Sequence, residues 1–575
     1  MDKKLFIGNG AVARGLWEAG CRFISSYPGT PSTEITEVAA EYPEIYAEWA
    51  PNEKVAVESA IGASLAGARA FSAMKHVGLN VAADPVFTVS YSGVNGGLVI
   101  AVADDQGMHS SQNEQDSRNY AKASKIPMLE PADSADCRAF AMAAYEISEK
   151  FDTPVFLRLT TRVAHSQGLV ECGERSEPAC KGFDKNPRKY VMNPGNAKAR
   201  RVVVAEREKA LDEFVETSPL NRVEYFDKKI GVIAAGVAYE YAREAFGERA
   251  SYLKLGVVYP LPSALIREFA ANVDELIIVE ELDGFIEQHV RALGVKCRGK
   301  ELFTYIGEYS ANMLRERVLG EKPEAVAPAA APARPPVLCP GCPHRGVFYV
   351  LHKLGVNVCG DIGCYTLGAA DPLTAMDTTI CMGASIGIAH GMDKIDSSLS
   401  RKTVAVIGDS TFMHSGLTGL LNVVYNGSTA TVMILDNSIT AMTGHQQNPA
   451  TALTLKGDPA PALDLAGVCR ALGVKRVREV DPFDLAAVES ALKEELAAEE
   501  PSVIVAKRPC ALLKTVERKP PLVIDAAKCV KCKQCLKLGC PAISLAAESM
   551  AIDHTLCTGC GLCEKVCKPG AIVRR

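Results

Sequence analysis

No run of about 18 apolar residues, the length needed to cross a bilayer, occurs anywhere in the 575-residue chain. Leu5-Phe6-Ile7, behind the first lysines, is too short for the apolar core of a secretory signal. Basic residues are not in excess: 63 Lys and Arg face 68 Asp and Glu, leaving a net charge of −5. That balance offers no polycationic surface to nucleic acid, and 48% apolar with 23% charged residues excludes a disordered chain. The expectation is therefore a cytoplasmic globular protein that binds neither membrane nor nucleic acid. Its length predicts about three to five domains. Cysteine, by contrast, is plentiful. A disulfide framework is not expected in a reducing compartment, yet 20 cysteines are present and eight fall in the last 47 residues. Those eight call for metal or redox chemistry.

The most informative stretch begins with the β-branched run 403–407, which stops at Gly408-Asp409. A helical pattern follows over 413–425, then a second apolar run, 431–435, stopping at Asp436-Asn437. Strand, helix and strand make a parallel crossover, which puts Asp409 and Asn437 at the carboxyl ends of neighbouring strands, where α/β sheets bind ligands. A carboxylate and an amide oxygen there suit Mg²⁺, and the helix amino end suits a diphosphate. An ordinary α/β turn is the alternative. The spacing resembles the thiamine diphosphate (TPP) signature Gly-Asp-Gly … Asn-Asn, with Ser410 in place of the last Gly and Asp436 in place of the first Asn. The resemblance implies Asp409, Asn437 and the Ile439 carbonyl as Mg²⁺ ligands, with Gly408 and Ser410 beside the diphosphate.

Five segments are expected. Residues 1–185 read as an α/β domain: a strand at 4–7, a helix opened by Gly8-Asn9-Gly10, a strand at 23–27, a Gly/Ala-rich helix over 55–71 and a late strand at 153–159. Gly8-x-Gly10 is read as a helix start and not as a dinucleotide fingerprint, because the second strand ends in Pro28-Gly29 where a ribose-binding acid belongs. Residues 165–200 read as polar loops. A second α/β domain, 200–315, is expected to use strands at 230–235, 257–258 and 275–280, and it resembles a transketolase carboxyl-terminal domain. Ala/Pro-rich 321–336 reads as a linker. Residues 337–507 form the diphosphate-side domain, 508–525 a connector, and 524–575 a small α+β module.

That module carries Cys529-x-x-Cys532-x-x-Cys535-x₄-Cys540-Pro541 and Cys557-x-x-Cys560-x-x-Cys563-x₃-Cys567. Triple Cys-x-x-Cys-x-x-Cys runs suit iron–sulfur cubanes, whereas zinc modules space their ligands in separated pairs. Two [4Fe–4S] clusters follow, each closed by the other motif's distant cysteine: Cys529, Cys532, Cys535 and Cys567 for one, Cys540, Cys557, Cys560 and Cys563 for the other. The pattern resembles bacterial two-cluster ferredoxin, with one extra residue before Cys540 and Lys568 inserted after Cys567. The module is basic, with Lys528, Lys531, Lys533, Lys537, Lys565 and Lys568, which suits docking of an acidic carrier.

Thiamine chemistry joined to single-electron clusters points to oxidative decarboxylation. Ser26-Tyr27-Pro28-Gly29-Thr30-Pro31, Met74-Lys75-His76-Val77-Gly78, Cys339-Pro340-Gly341-Cys342-Pro343-His344-Arg345, Gly360-Asp361-Ile362-Gly363-Cys364 and Thr440-Ala441-Met442-Thr443-Gly444-His445 resemble the 2-oxoacid:ferredoxin oxidoreductases. Within that family they are most similar to the large (alpha) subunit of the enzymes that oxidise indolepyruvate. The resemblance covers essentially the whole chain. It implies oxidation of an aryl 2-oxo acid with coenzyme A to the acyl-CoA and CO₂, two electrons passing to ferredoxin. It also implies a smaller beta subunit, an (αβ)₂ assembly and a cofactor lying between domains 1–185 and 338–507. Glu53 matches the glutamate at the aminopyrimidine ring, with Glu58 one turn on as its rival; Thr30 matches a substrate-carboxylate contact, and Arg118 an arginine near it. Cys339, Cys342, Cys359, Cys364 and Cys381 admit a third metal site, but the turn through Gly360 and Asp361 favours Cys339, Cys342, His344 and Cys364 as a lining for the cofactor. Other 2-oxo acids, and a non-oxidative carboligase, stay open as alternatives.

Overall fold

Strand Leu98–Asp104, Leu-Val-Ile-Ala-Val-Ala-Asp, is buried at every position, as a strand covered on both faces must be. It is central to the first of two compact units, Met1–Pro328 and Ala329–Arg575. The computed structural model describes residues 2–322, 335–546 and 549–574; nearly all of the expected 321–336 linker lies outside them. The protein is mixed α/β.

In the first unit a seven-stranded sheet runs Val257–Tyr259, Met128–Leu129, Val155–Thr160, Leu98–Asp104, Ala70–Lys75, Phe23–Ser26, Tyr46–Trp49. All pairings are parallel except that of Val257–Tyr259. A second sheet holds Glu275–Val279, Ile230–Ala235, Ser251–Leu255 and Arg222–Glu224.

Several local expectations change. Residues 257–258, read as continuing the second sheet, belong to the first. Gly256 makes the crossing: a Cβ there would stand 2.3 Å from the Leu220 carbonyl oxygen, and its own carbonyl accepts the Glu130 N–H at 2.9 Å. The opening strand, Asp2–Ile7, stays out of the main sheet and pairs antiparallel with Gln167–Cys172. The following helix is Gly8–Glu18. Its first residue must be glycine, since a Cβ would lie 2.0 Å from the Val163 carbonyl oxygen. The Gly/Ala-rich helix is Glu53–Leu65, ending six residues early because Ala70–Lys75 is a strand. Residues 165–200, read as loops, contain Gln167–Cys172 and the start of the 23-residue helix Pro194–Glu216. That helix buries only Val204, Arg207, Leu211 and Val215, a stripe too thin to stand out against its charged remainder.

The second unit has a wholly parallel sheet: Asn357–Cys359, Thr403–Gly408, Thr431–Asp436, Ser502–Lys507, Arg476–Val480. Helical backbone begins at Asp409 itself, widens over Phe412–Gly416 and continues as Leu417–Tyr425. The cysteine-rich segment is built on two antiparallel pairs, Leu522–Ile524 with Ile572–Arg574 and Ile543–Ala546 with Ser549–Ile552. The connector read at 508–525 thus contains a whole strand, Leu522–Ile524. Among the described residues no helix is long and apolar enough to cross a membrane.

Candidate active site

Thr403–Gly408 and Thr431–Asp436 pair in register, Gly408 opposite Leu435, so Asp409 and Asn437 emerge side by side. The Asn437 side-chain amide faces two oxygens, the Ile439 carbonyl at 2.7 Å and Asp409 Oδ1 at 3.2 Å. With its nitrogen inward it donates to both. With its oxygen inward, three oxygens from Asp409, Asn437 and Ile439 converge as a Mg²⁺ ligand face. Burial, reinforced by Asp436, pushes the Asp409 carboxyl up to about 7, and a cation is what such a carboxylate lacks. The donor set therefore fits the ion. Asn448, which the sequence reading passed over, donates to Asp409 at 3.3 Å. Ser410, the departure from glycine, accepts the Thr440 hydroxyl at 3.0 Å.

Asp361 is placed differently. Its fully buried carboxylate accepts the N–H groups of Ile362 (2.8 Å), Gly383 (2.8 Å) and Ser385 (3.1 Å), tying its turn to helix Ala384–Ile395. A carboxylate so engaged holds a turn. Gly360 packs on Met376, whose sulfur a Cβ would meet at 2.4 Å, and Gly408 packs on Tyr365, whose ring it would meet at 2.6 Å. His344 is buried edge-on to Tyr365, 5.9 Å between ring centroids, and burial lowers it to about 4, so it is neutral.

In the first unit Glu53 is the first residue of helix Glu53–Leu65, behind Asn52, which caps the helix by accepting the Val55 N–H. Glu53 is 5% exposed and lies against Gly78: a Cβ on Gly78 would stand 2.5 Å from Glu53 Oε1. Glu58 is exposed and ion-paired to Lys54. Of the two glutamates, only Glu53 is buried. Thr30 is half-buried in a turn held by Asn9, whose amide donates to the Pro31 carbonyl at 2.6 Å and to Glu34 at 2.7 Å.

Arg118 is 2% exposed. It forks onto Asp116 at 2.9 and 2.6 Å, reaches Glu280 at 2.7 Å, and donates to the carbonyls of Glu281 and Asp283 at 3.1 Å each. A ligand carboxylate would have to displace these partners. The nearer cation is Lys75, whose ammonium donates to the Ser110 carbonyl at 2.6 Å, while the Ser110 hydroxyl reaches the Thr30 carbonyl at 3.3 Å. A lysine ending an otherwise uncharged strand was its signal in the sequence.

The thiols gather in three groups. Cys529, Cys532, Cys535 and Cys567 line one cavity. Cys540, Cys557, Cys560 and Cys563 are close enough that burial and then mutual repulsion raise the Cys563 thiol. Cys339, Cys342, Cys364 and Cys510 form the third: burial, with Cys364 and Cys339 adding, raises Cys342 to about 12, and burial, with Cys510 and Cys339 adding, raises Cys364 to about 11. Cys510 carried no sequence pattern; it stands 3.8 Å from His445. Cys359 instead contacts the Met392 sulfur at 3.6 Å, and Cys381 is exposed near Asp361. Among the described residues no three His, Cys, Asp or Glu side chains are drawn together for a single ion; a cubane binds each thiolate to a different iron. Crowded, buried thiols lack positive charge, and metal supplies it.

Residues 14–216 match the family model described as pyruvate flavodoxin/ferredoxin oxidoreductase, thiamine diphosphate-binding; residues 361–506 match the thiamine pyrophosphate enzyme C-terminal TPP-binding domain; residues 550–573 match a 4Fe–4S binding domain. The chain is 39% identical to indolepyruvate oxidoreductase subunit IorA of Archaeoglobus fulgidus, over 99% of this chain and 97% of that protein. It is 40% identical to the same subunit of Pyrococcus horikoshii, over 99% and 96%. More distantly, it is 26% identical to 2-oxoglutarate synthase subunit KorA of Archaeoglobus fulgidus, over 53% of this chain and 95% of that protein.

Proposed function

The chain belongs to the 2-oxoacid:ferredoxin oxidoreductase family, among the IorA subunits, and on that premise we propose that it oxidises aryl 2-oxo acids such as indolepyruvate with coenzyme A. The products are the acyl-CoA, CO₂ and two electrons that leave through [4Fe–4S] clusters to ferredoxin. The observation that carries the reading is the oxygen face of Asp409, Asn437 and Ile439 in the same unit as three gatherings of thiols.

Bound TPP supplies a carbon nucleophile able to decarboxylate a 2-oxo acid and release its electrons. Asp409, Asn437 and the Ile439 carbonyl would hold Mg²⁺, and the helical backbone that begins at Asp409 would offer N–H groups to the diphosphate. Glu53, buried against Gly78, is the carboxylate that would hold a proton at the aminopyrimidine ring. Thr30 orients the substrate carboxylate. Arg118 acts at one remove, fixing the loop before it onto the strand that ends at Val279.

Cys529, Cys532, Cys535 and Cys567 would hold one cluster, and Cys540, Cys557, Cys560 and Cys563 a second. We assign a third to Cys339, Cys342, Cys364 and Cys510. Cys364 feels the charge of Asp409, and Arg345 feels Cys540 and Cys560 on one side and Cys342 and Cys339 on the other. That adjacency favours electron removal over carboligation, which needs no such route. A smaller partner subunit and an (αβ)₂ assembly complete the proposal.

The test is methyl viologen reduction by the anaerobically purified complex, with a panel of 2-oxo acids and with or without coenzyme A. Arylpyruvates are expected to lead and to require coenzyme A; activity confined to aliphatic acids removes the aryl assignment. Asp409→Ala is expected to abolish retention of thiamine diphosphate, and full retention would remove the Mg²⁺ assignment.

A further inference from the structure

Lys75 ends strand Ala70–Lys75, all six residues of which are buried, and is itself 8% exposed. Its ammonium has two neutral contacts, the Ser110 carbonyl at 2.6 Å and the Ser110 hydroxyl at 3.2 Å. No carboxylate among the described residues forms an ion pair with it. Asp105 is the acid whose charge reaches it. That carboxylate is already committed to the Ser110 N–H at 2.8 Å, the Ser111 hydroxyl at 2.6 Å and the Thr161 hydroxyl at 2.8 Å. A buried cation without a counter-ion is costly. Burial accordingly pulls this amine down to about 8.

The surroundings say what the missing partner is. The Ser110 hydroxyl that touches Lys75 also donates to the Thr30 carbonyl at 3.3 Å. A Cβ on Gly29 would stand 3.2 Å from the Lys75 Cβ, so the turn through Thr30 lies directly on the lysine. Three residues on, Gly78 receives the Glu53 side chain. Two buried polar atoms in the same segments, His76 Nδ1 and Gln106 Nε2, have no hydrogen-bond partner among the described residues. Arg118, by contrast, is already paired with Asp116 and Glu280.

We propose that Lys75 is a substrate-binding residue whose ammonium, propped by Ser110, takes the carboxylate of the 2-oxo acid beside the Thr30 turn. The proposal rests on the 2-oxo acid reading above. Pairing with the carboxylate supplies the absent negative charge, and loss of that carboxylate as neutral CO₂ leaves a product that the ammonium no longer holds. Because the carboxylate is present in the ground state, the interaction should appear in KM and much less in kcat.

The experiment uses the complete complex, with thiamine and iron contents measured for each variant. Lys75→Met is expected to raise the KM for phenylpyruvate by about 30-fold or more, the scale on which loss of one desolvated charge partner is felt. Lys75→Arg should restore much of the loss. The KM for coenzyme A should not move; a rise confined to coenzyme A would give the lysine to that anion and overturn the proposal. Phenylpyruvamide, which lacks the charge, should bind Lys75→Met and the parent alike, and equal losses for acid and amide would make Lys75 merely structural. Calorimetric titration of phenylpyruvate needs no turnover, so it tests Lys75 even if the parent oxidises no 2-oxo acid, and the two failures stay distinct. Should Lys75→Met not fold, Ser110→Ala, which removes one prop, is expected to weaken phenylpyruvate binding in the same direction; unchanged binding there would count against the proposal.

Discussion

Arg345 Nη1 donates to the Leu538 carbonyl at 2.6 Å, inside the cysteine-rich segment. Its Nη2 donates to the carbonyls of Leu338 at 2.5 Å and Cys339 at 3.1 Å. One buried guanidinium thus ties the Cys339–Cys342 loop to the backbone between Cys535 and Cys540. Arg345→Met keeps the volume and removes the tie. Hydrogen bonds from a charged group are each worth about 1.5–3 kcal/mol, so a lower melting temperature is expected. The more specific outcome is a fall in steady viologen reduction while the 2-oxo acid KM is unchanged, since the change lies on the electron side. An unaltered turnover number would deny Arg345 this role.

Glu53 and Gly78 give a second prediction, because the carboxylate occupies the space of the missing Cβ. Glu53→Gln is expected to lower kcat by about 100-fold or more, the usual scale for loss of a general acid–base group. Gly78→Ala should act in the same direction by displacing the carboxylate, although the alanine touches no ligand. Glu58→Gln, on the exposed face and ion-paired to Lys54, should leave kcat within about twofold. Equal losses in Glu53→Gln and Glu58→Gln would show that the helix as a whole is being damaged.

The pH dependence of stability follows from two buried acids with opposite shifts. Burial pushes Glu281, which accepts the Tyr309 N–H at 2.8 Å, up to about 7. Its folded form holds a proton that the unfolded chain gives up near pH 4.5, so its contribution is present below pH 4.5 and is lost as pH rises to 7. Asp116, although burial opposes it, is held down to about 2 by Arg118 and Arg158. Its contribution is present above pH 3.8 and is lost as pH falls towards 2. Glu281→Gln should therefore flatten the decline in melting temperature between pH 4.5 and 7 and leave the acid limb in place. A decline as steep as the parent's would assign it to other groups.

What was legible in the sequence was what repeats a local pattern. Thr403–Gly408 and Thr431–Asp436 are continuous apolar runs that end in their functional residues, and both cysteine triplets fix their own geometry by spacing. What was hidden depends on contacts distant along the chain. Cys510 is a lone cysteine in a connector, brought to Cys339 and Cys364 only by the fold. Arg118 matches an arginine near the substrate by resemblance, and its partner Glu280, 162 residues away, is visible only in the fold. The partners of Asp361 were hidden in the same way, because the N–H groups that fill its carboxylate belong to residues more than 20 positions on.

The thiol groupings make the last prediction, and it depends on pairs that cross the motifs. Cys567 belongs to the second motif in sequence, yet it lines the cavity of Cys529, Cys532 and Cys535. Cys540 belongs to the first motif, yet its thiol feels Cys560 and Cys557. If each group holds one cubane, Cys567→Ser and Cys529→Ser should lose the same paramagnetic signal on reduction, and Cys540→Ser should share its loss with Cys557→Ser. Each change should lower the iron content by about four atoms or convert that cluster to a three-iron form. Cys510→Ser should match Cys339→Ser and leave the other two signals intact, while Cys381→Ser, whose exposed thiol lies outside all three groups, should alter none. Were Cys567→Ser to resemble Cys557→Ser instead, each motif would be closing on itself, and the two halves of the segment would not be exchanging ligands.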